Sequence, residues 1–460
     1  MPHRNSHTRT VNTQRHAVLA GAGGVFAFAL SAALCLLPTP ALAQAARAGN
    51  GDTATRAAAP QPSFNPKSSI QLLGTIRSYK GSSPRDIQDP HIYSPKSALF
   101  TPDGTKLYIN ALEGFETIVY DFPALTRRKV IRHTFDAANS QLFKGGESSI
   151  FDYRFYAKNK GGALNHFSGK PVESVLTHNG RFLWVTYYRR SYDANATSPS
   201  AIAIAIIDTS TDEIVRVMPT GPLPKVVTAS PDGATLAVVH WGDNSIALMD
   251  IRSDNPQDFR YTKLLELNRP QNLANIAGNR DRICGECLRG AVFTPDSKYL
   301  FVARMGGGAI AVFDVPDGRY LGSIVKVAPS PRHLDMTKDG SLLYVTSNRS
   351  GIVTRFSVPE VLEDILRRGG DTPLRGQEIF VGNGARTFAL SPDERHLYVV
   401  SNLGLKVSKI DTQSWQIVDW NGAYAYPVGL AVSPDGRHLV TTSQGREGRG
   451  GNTVGIYQLQ

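Results

Sequence analysis

A chain of 460 residues with 41% hydrophobic and 19% charged side chains can bury a large core, which excludes a segment too polar to fold. Its length suits two or three ordinary domains, or one domain if the chain is a repeat array. A formal charge of +11 favours anionic partners in general without choosing among them.

Residues 1–43 read as an export signal. Arg4, Arg9, Arg15 and His16 form a basic start, Ala17 to Leu37 is apolar, and Ala41-Leu42-Ala43 has the small-x-small pattern of a cleavage site. A retained anchor is the competing reading, since the apolar stretch is about long enough to span a bilayer; its Gly and Ala content and the Pro38 to Ala43 ending favour cleavage after Ala43. The expectation is a monomer, periplasmic or secreted, with no stable membrane insertion. Cleavage removes three Arg and no acid, leaving a net charge of +8. Residues 44–67, rich in Ala, Pro and small polar residues without periodicity, are expected to be a flexible N-terminus.

From residue 68 onward one pattern repeats. A turn signal recurs seven times: TPDG (Thr101), THNG (Thr177), SPDG (Ser230), TPDS (Thr294), TKDG (Thr337), SPDE (Ser391) and SPDG (Ser433). Pro presets the backbone, Asp or Asn bonds nearby amides, and Gly accepts positive φ, so the tetrapeptide is a hairpin turn and its Asp is structural. Behind each turn comes a run such as KLYIN, LLYVT or HLYVV, then a third run such as TIVYDF or AIAVFDV. Fourth strands are expected at RKVIRHTF, EIVRVMP, YTKLLEL, RYLGSIVKV, QEIFVG and WQIVDW. The turns are 76, 53, 64, 43, 54 and 42 residues apart, the shortest matching a four-stranded propeller blade. The seventh repeat lacks a fourth strand because the sequence ends at Gln460, and the orphan run SIQLLGTIR (Ser69 to Arg77) can supply it.

This pattern, with its LYVTSN and LYVVSN runs, resembles the YVTN family of bacterial β-propellers across nearly all of 68–460. The resemblance implies an all-β, seven-bladed propeller of four-stranded antiparallel blades, its ring closed by the N-terminal strand pairing in the last blade. It is nearly silent about activity, because such propellers host lactonases, lyases, cofactor-binding domains and plain interaction modules.

Seven places before each turn Asp or Asn stand Lys96, Val172, Lys225, Arg289, Arg332, Arg386 and Val428, five of them basic. Turned inward, these side chains make a positive collar at one mouth of the central channel; turned sideways, they pair with acids of neighbouring blades. An inward collar needs anions or acids such as Glu173 and Glu113 to offset it, because each pair repels by roughly 1.7 kcal/mol at 10 Å and an effective dielectric near 20. The loops between second and third strands add Tyr187, Tyr188, Arg189, Arg190, His240, Trp241, Asp243, Arg304, Arg349 and Arg446 to the same face. His240 beside Trp241 suggests a base over a stacking platform or a packed loop residue, and His333 next to Arg332 is the stronger functional histidine. Insertions at 127–170 and 252–289 are long enough to rim the mouth.

Cys284 and Cys287 are expected to form a local disulfide in an oxidising compartment. Leu288 after Cys287 excludes a haem attachment motif, and two thiols without nearby His are too few for zinc. No G-x-S-x-G, H-E-x-x-H or phosphate loop is present, and no cofactor or metal is expected. Three readings stand. The first is a binding or scaffolding propeller that takes an anionic small molecule, or an acidic protein or polymer, through Lys96, Lys225, Arg289, Arg332, His333, Arg386, His240, Trp241, Arg304 and Arg349. The second is a lactonase-like hydrolase or lyase, with Glu173 and His333 as candidates for proton transfer and Arg289 and Arg332 for positioning. The third is single-stranded nucleic-acid binding, which export disfavours.

Overall fold

A computed structural model describes residues 62–143, 167–190, 201–267, 284–445 and 451–460. The expected signal at 1–43, most of the expected flexible N-terminus, the centres of both insertions and Arg446 lie outside the described residues.

Six of the seven turn signals close a hairpin by one device, and the seventh, at Thr177, places His178 and Asn179 at positive φ. At the first, the Thr101 hydroxyl donates to Asp103 Oδ1 at 2.6 Å and accepts from the Lys106 amide at 3.0 Å, while Asp103 Oδ1 accepts from the Thr105 amide at 3.1 Å and Gly104 takes φ 71°. The same network recurs at Ser230/Asp232, Thr294/Asp296, Thr337/Asp339, Ser391/Asp393 and Ser433/Asp435. All six aspartates are thereby occupied as hydrogen-bond acceptors within their own turns.

These hairpins build seven antiparallel blades. Their innermost strands are Pro95–Phe100, Phe167–Thr177, Pro224–Ala229, Leu288–Phe293, Pro331–Met336, Ala385–Leu390 and Pro427–Val432, and every expected fourth strand is present at a blade edge. Thr134–Phe135 adds a short fifth strand against the inner strand of the second blade. In the fifth blade a helix, Val358–Arg368, is inserted before the outer strand, capped by the Ser357 hydroxyl and by Gly369 in the left-handed region. Middle strands such as Leu236–Val239 and Leu300–Ala303 are buried on both faces, and their side chains fill the wedges between neighbouring blades.

The seventh blade closes as expected. Ile70–Arg77 pairs antiparallel with Thr453–Leu459, Ile70 opposite Leu459 and Arg77 opposite Thr453. The sixth blade clamps this joint: Asp419 Oδ2 accepts from the Ser69 amide at 2.6 Å and the Ser68 hydroxyl at 3.0 Å, and Asn421 Nδ2 donates to the Ile70 carbonyl at 2.6 Å.

Candidate functional site

The inner strands begin at one mouth of the channel, and a backbone feature recurs there. In six blades the residue two places before the collar position has positive φ: Ser94, Leu223, Cys287, Ser330, Gly384 and Tyr426. For the five that are not glycine this conformation costs roughly 1–2 kcal/mol each. Such strain persists only where surrounding structure imposes it. Its effect is a sharp entry that puts the collar residue second in the inner strand.

From that position the five basic side chains converge. Lys96, Lys225, Arg289, Arg332 and Arg386 line one cavity of about 440 Å³ together with Leu112, Val172, Tyr188, Trp241, Tyr426 and Gln444. No acid is among these residues. Below them the channel continues as a second space of about 240 Å³, where Glu173, Thr228, His333, Asp335 and Thr387 join the guanidinium side chains.

Each cation is held differently. Lys225 Nζ lies 3.6 Å from the centre of the Tyr188 ring and 5.1 Å from that of Trp241, so two aromatic faces support its charge. Arg289 reaches Glu173 Oε1 at 3.8 Å, and Lys96 Nζ reaches the same oxygen at 3.8 Å, so one carboxylate serves two blades. Arg332 donates to Met305 Sδ at 3.5 Å. Arg386 bonds the Tyr426 hydroxyl and stacks 5.6 Å from its ring, while its Nε has no partner although the residue is only 8% exposed. Trp241 Nε1, also buried, is likewise left without a partner.

Crowding shifts the acid–base balance. Burial first, then Arg386, Arg289 and Arg332, pushes the Lys96 ammonium well below its ordinary value against the opposing pull of Glu173. Burial, then Arg386 and Arg289, also pushes Arg332 down. Burial, Arg289 and Arg332 hold His333 at about 4, so its imidazole is neutral near pH 7; its ring packs edge-on against Phe388 at 4.8 Å. Burial raises Asp335, deeper in the channel, to about 6.

Hydroxyls fix the collar backbone across blades. Thr442 donates to the Lys96 carbonyl at 2.8 Å, Thr346 to that of Arg386 at 2.8 Å, and Thr387 to that of Val428 at 2.9 Å. Thr346 is the threonine of the LYVTSN run, and Asn348 from that run donates to the Ala385 carbonyl at 3.1 Å. Part of the repeat motif thus positions the next blade's collar. Gly290 permits close approach: a Cβ there would lie 2.6 Å from the Arg332 carbonyl oxygen.

Other candidates stand elsewhere. His240 is fully buried, its Nε2 shared by the Thr220 hydroxyl at 2.8 Å and the Gly221 amide at 3.0 Å and its Nδ1 by Ser245 at 2.9 Å, so it braces the third blade without lining the cavity. Arg304 pairs with Glu286 at 2.9 Å and lines an outer groove with Tyr320 and Asp371, not the collar cavity. Arg349 is exposed on a hairpin loop. Glu113 pairs with Lys170 at 2.7 Å, and Tyr187 is buried, bonding His133 at 2.8 Å. Cys284 and Cys287 form a disulfide that packs in the same cluster as Trp241. Sequence reasoning missed Leu112, Tyr426 and Gln444 as lining residues; Tyr426, directly before the Pro427 that opens an inner strand, was the one with a readable signal. Among the described residues no group of three or more His, Cys, Asp or Glu side chains is arranged to hold a metal ion.

Comparison with known proteins agrees with this architecture. The YNCE-like beta-propeller family model matches residues 337–450, and the family model described as lactonase, 7-bladed beta-propeller, matches residues 259–363. No curated protein matches the sequence. Among solved structures, the Cps50 (Swd1) beta-propeller domain of Myceliophteria thermophila is similar with a TM-score of 0.56 and 12% identity, over 85% of this chain and 100% of that one. Hydrazine synthase of Kuenenia stuttgartiensis is similar with a TM-score of 0.53 and 15% identity, over 83% of this chain and 99% of that one. Such likenesses carry the fold alone. The chain is a seven-bladed β-propeller whose repeats resemble, over the matched segments, the YNCE-like and lactonase propellers.

Proposed function

We propose that the chain binds a small anion carrying more than one negative charge, held in the collar cavity. The observation that carries this reading is that five basic side chains from five blades line about 440 Å³ with no acid among the lining residues. That volume suits a small molecule. A buried ring of like charges is raised in energy when empty, and an anion relieves it by replacing repulsion with charge-assisted hydrogen bonds. Arg386 Nε and Trp241 Nε1 offer donors still unused. An acidic polymer or single-stranded nucleic acid fits this enclosed geometry less well than a small ligand, and an exported location accompanies the proposal.

Thermal unfolding with phosphate, sulfate and citrate, against chloride at equal ionic strength, tests the reading. A ligand at a hundredfold its Kd stabilises by about 2.7 kcal/mol. Stabilisation by the multivalent anions that is lost in R332Q/R386Q supports the site, and wild-type protein indifferent to all of them overturns it.

A hydrolytic reading is favoured by one further observation. The segment matched by the lactonase family model contains Arg289, Arg332 and His333, and His333 is a neutral imidazole beside Arg289 in the channel. In this reading the guanidinium groups hold an anionic lactone and His333 accepts a proton from water. Turnover of phosphosugar lactones that disappears in H333Q supports it; absence of turnover by the wild type removes it.

A further inference from the structure

Lys96 is the one basic side chain of the cavity whose chemistry the anion site leaves unused. It is 7% exposed, it lines the cavity, and Glu173 Oε1 at 3.8 Å is the acidic atom nearest its amine. Glu173 is shared with Arg289. The other groups facing it are the guanidinium side chains of Arg289, Arg332 and Arg386, from three consecutive blades. Lys225, by contrast, lies against the Tyr188 and Trp241 ring faces.

An amine surrounded by cations and removed from water is the setting in which lysine becomes a nucleophile. Guanidinium groups bind carboxylates through paired hydrogen bonds. We propose that Lys96 is a carbonyl-capturing amine: Arg332 and Arg386 hold the carboxylate of a small oxo acid, and Lys96 Nζ condenses with its carbonyl to form a Schiff base. This deepens the anion-binding reading and rests on it.

The step balances within the site. The Nζ lone pair attacks the carbonyl carbon, the C=O π pair moves to oxygen, and the proton lost by nitrogen passes to that oxygen through the Glu173 carboxylate. A proton from solvent, delivered through the Glu173 carboxyl, then lets that hydroxyl leave as water while the nitrogen lone pair closes the C=N bond, which leaves a protonated imine. No oxidant or reductant takes part. The depressed affinity of Lys96 for its proton raises the share of neutral amine, which the first step needs.

Trapping tests the proposal. The intact protein is incubated near pH 7 with glyoxylate, pyruvate or 2-oxoglutarate and cyanoborohydride, and the adducts are mapped by peptide mass spectrometry, with acetone as a carbonyl lacking the carboxylate. Labelling of Lys96 roughly tenfold above any other lysine, weak with acetone and absent from a folded K96M variant, is the expected result. Label spread over exposed lysines, or equal labelling of Lys96 by acetone, overturns the proposal. No label, while the oxo acids still raise the unfolding temperature, overturns Lys96 capture and leaves the anion site standing. If the oxo acids neither label nor stabilise, and the inorganic anions also fail, both readings fall.

Discussion

The Thr346 hydroxyl donates to the Arg386 carbonyl across the gap between the fifth and sixth blades while accepting from the His333 amide at 3.1 Å. One side chain thus sets both the spacing of two inner strands and the height of two channel residues. Thr346→Val keeps the shape and removes both bonds, leaving a buried carbonyl and amide unsatisfied. A loss of about 1–3 kcal/mol in urea unfolding is expected, with weaker anion stabilisation. An unchanged midpoint would show that the neighbouring strands hold the collar without it.

Removing a collar charge is expected to act in opposite directions on the empty and occupied protein. Arg332→Gln relieves repulsion worth about 1–2 kcal/mol per neighbouring cation, so the unliganded variant should melt higher than the wild type. In saturating citrate the order should reverse. A variant that melts lower in both conditions would mean that Arg332 is already fully compensated inside the protein.

Burial holds His133 and His240 at about 3 and His333 at about 4. Below their ordinary value of 6.5 the unfolded chain takes up protons that the folded chain refuses. Stability is therefore complete above about pH 6.5 and falls as pH drops toward 4, by up to about 1.4 kcal/mol per pH unit per histidine. The turn aspartates add a separate, lower loss: Asp339, kept at about 2 by the Thr337 hydroxyl and the Ser341 amide, stabilises the fold above its ordinary value and ceases to do so as it protonates. Urea midpoints at several pH values check both, and a flat profile between pH 7 and 5 would contradict the histidine assignment.

Gly290→Ala forces a methyl group against the Arg332 carbonyl, which lies in backbone and yields little. A cost of about 1–3 kcal/mol is expected, together with a shift in the channel that weakens anion binding. Calorimetry of the variant with and without citrate separates the two effects.

The fold was legible because each of its devices is local. A Thr101-to-Asp103 turn or a β-branched run such as LLYVT depends on a few neighbouring residues, and seven repetitions leave little ambiguity. The collar was half legible. Repeat alignment placed Lys96, Lys225, Arg289, Arg332 and Arg386 at one level, but which of them face the channel depends on packing between blades, and the left-handed Leu223 and Tyr426 at the strand entries have no sequence preference for that conformation. His240 and Arg304 were misplaced for a related reason: loop residues adjoining a strand face the mouth, the core or the rim according to packing from other blades. Gly221 and Ser245 enclose His240, and Glu286 draws Arg304 outward, which no spacing within one repeat reveals.

The joint between Ile70–Arg77 and Thr453–Leu459 has a consequence for how the molecule comes into being. The bond from Asn421 to Ile70 spans 351 residues, so the strand Ile70–Arg77 has only the two-residue strand Ile87–Gln88 beside it until Thr453–Leu459 emerges. Contacts of such sequence separation form slowly. The cavity draws its lining from all seven blades, from Lys96 in the first to Gln444 in the last, so a nascent or truncated chain can build individual blades yet hold no ligand. Emergence of Thr453–Leu459 is in this sense the last step in making the site.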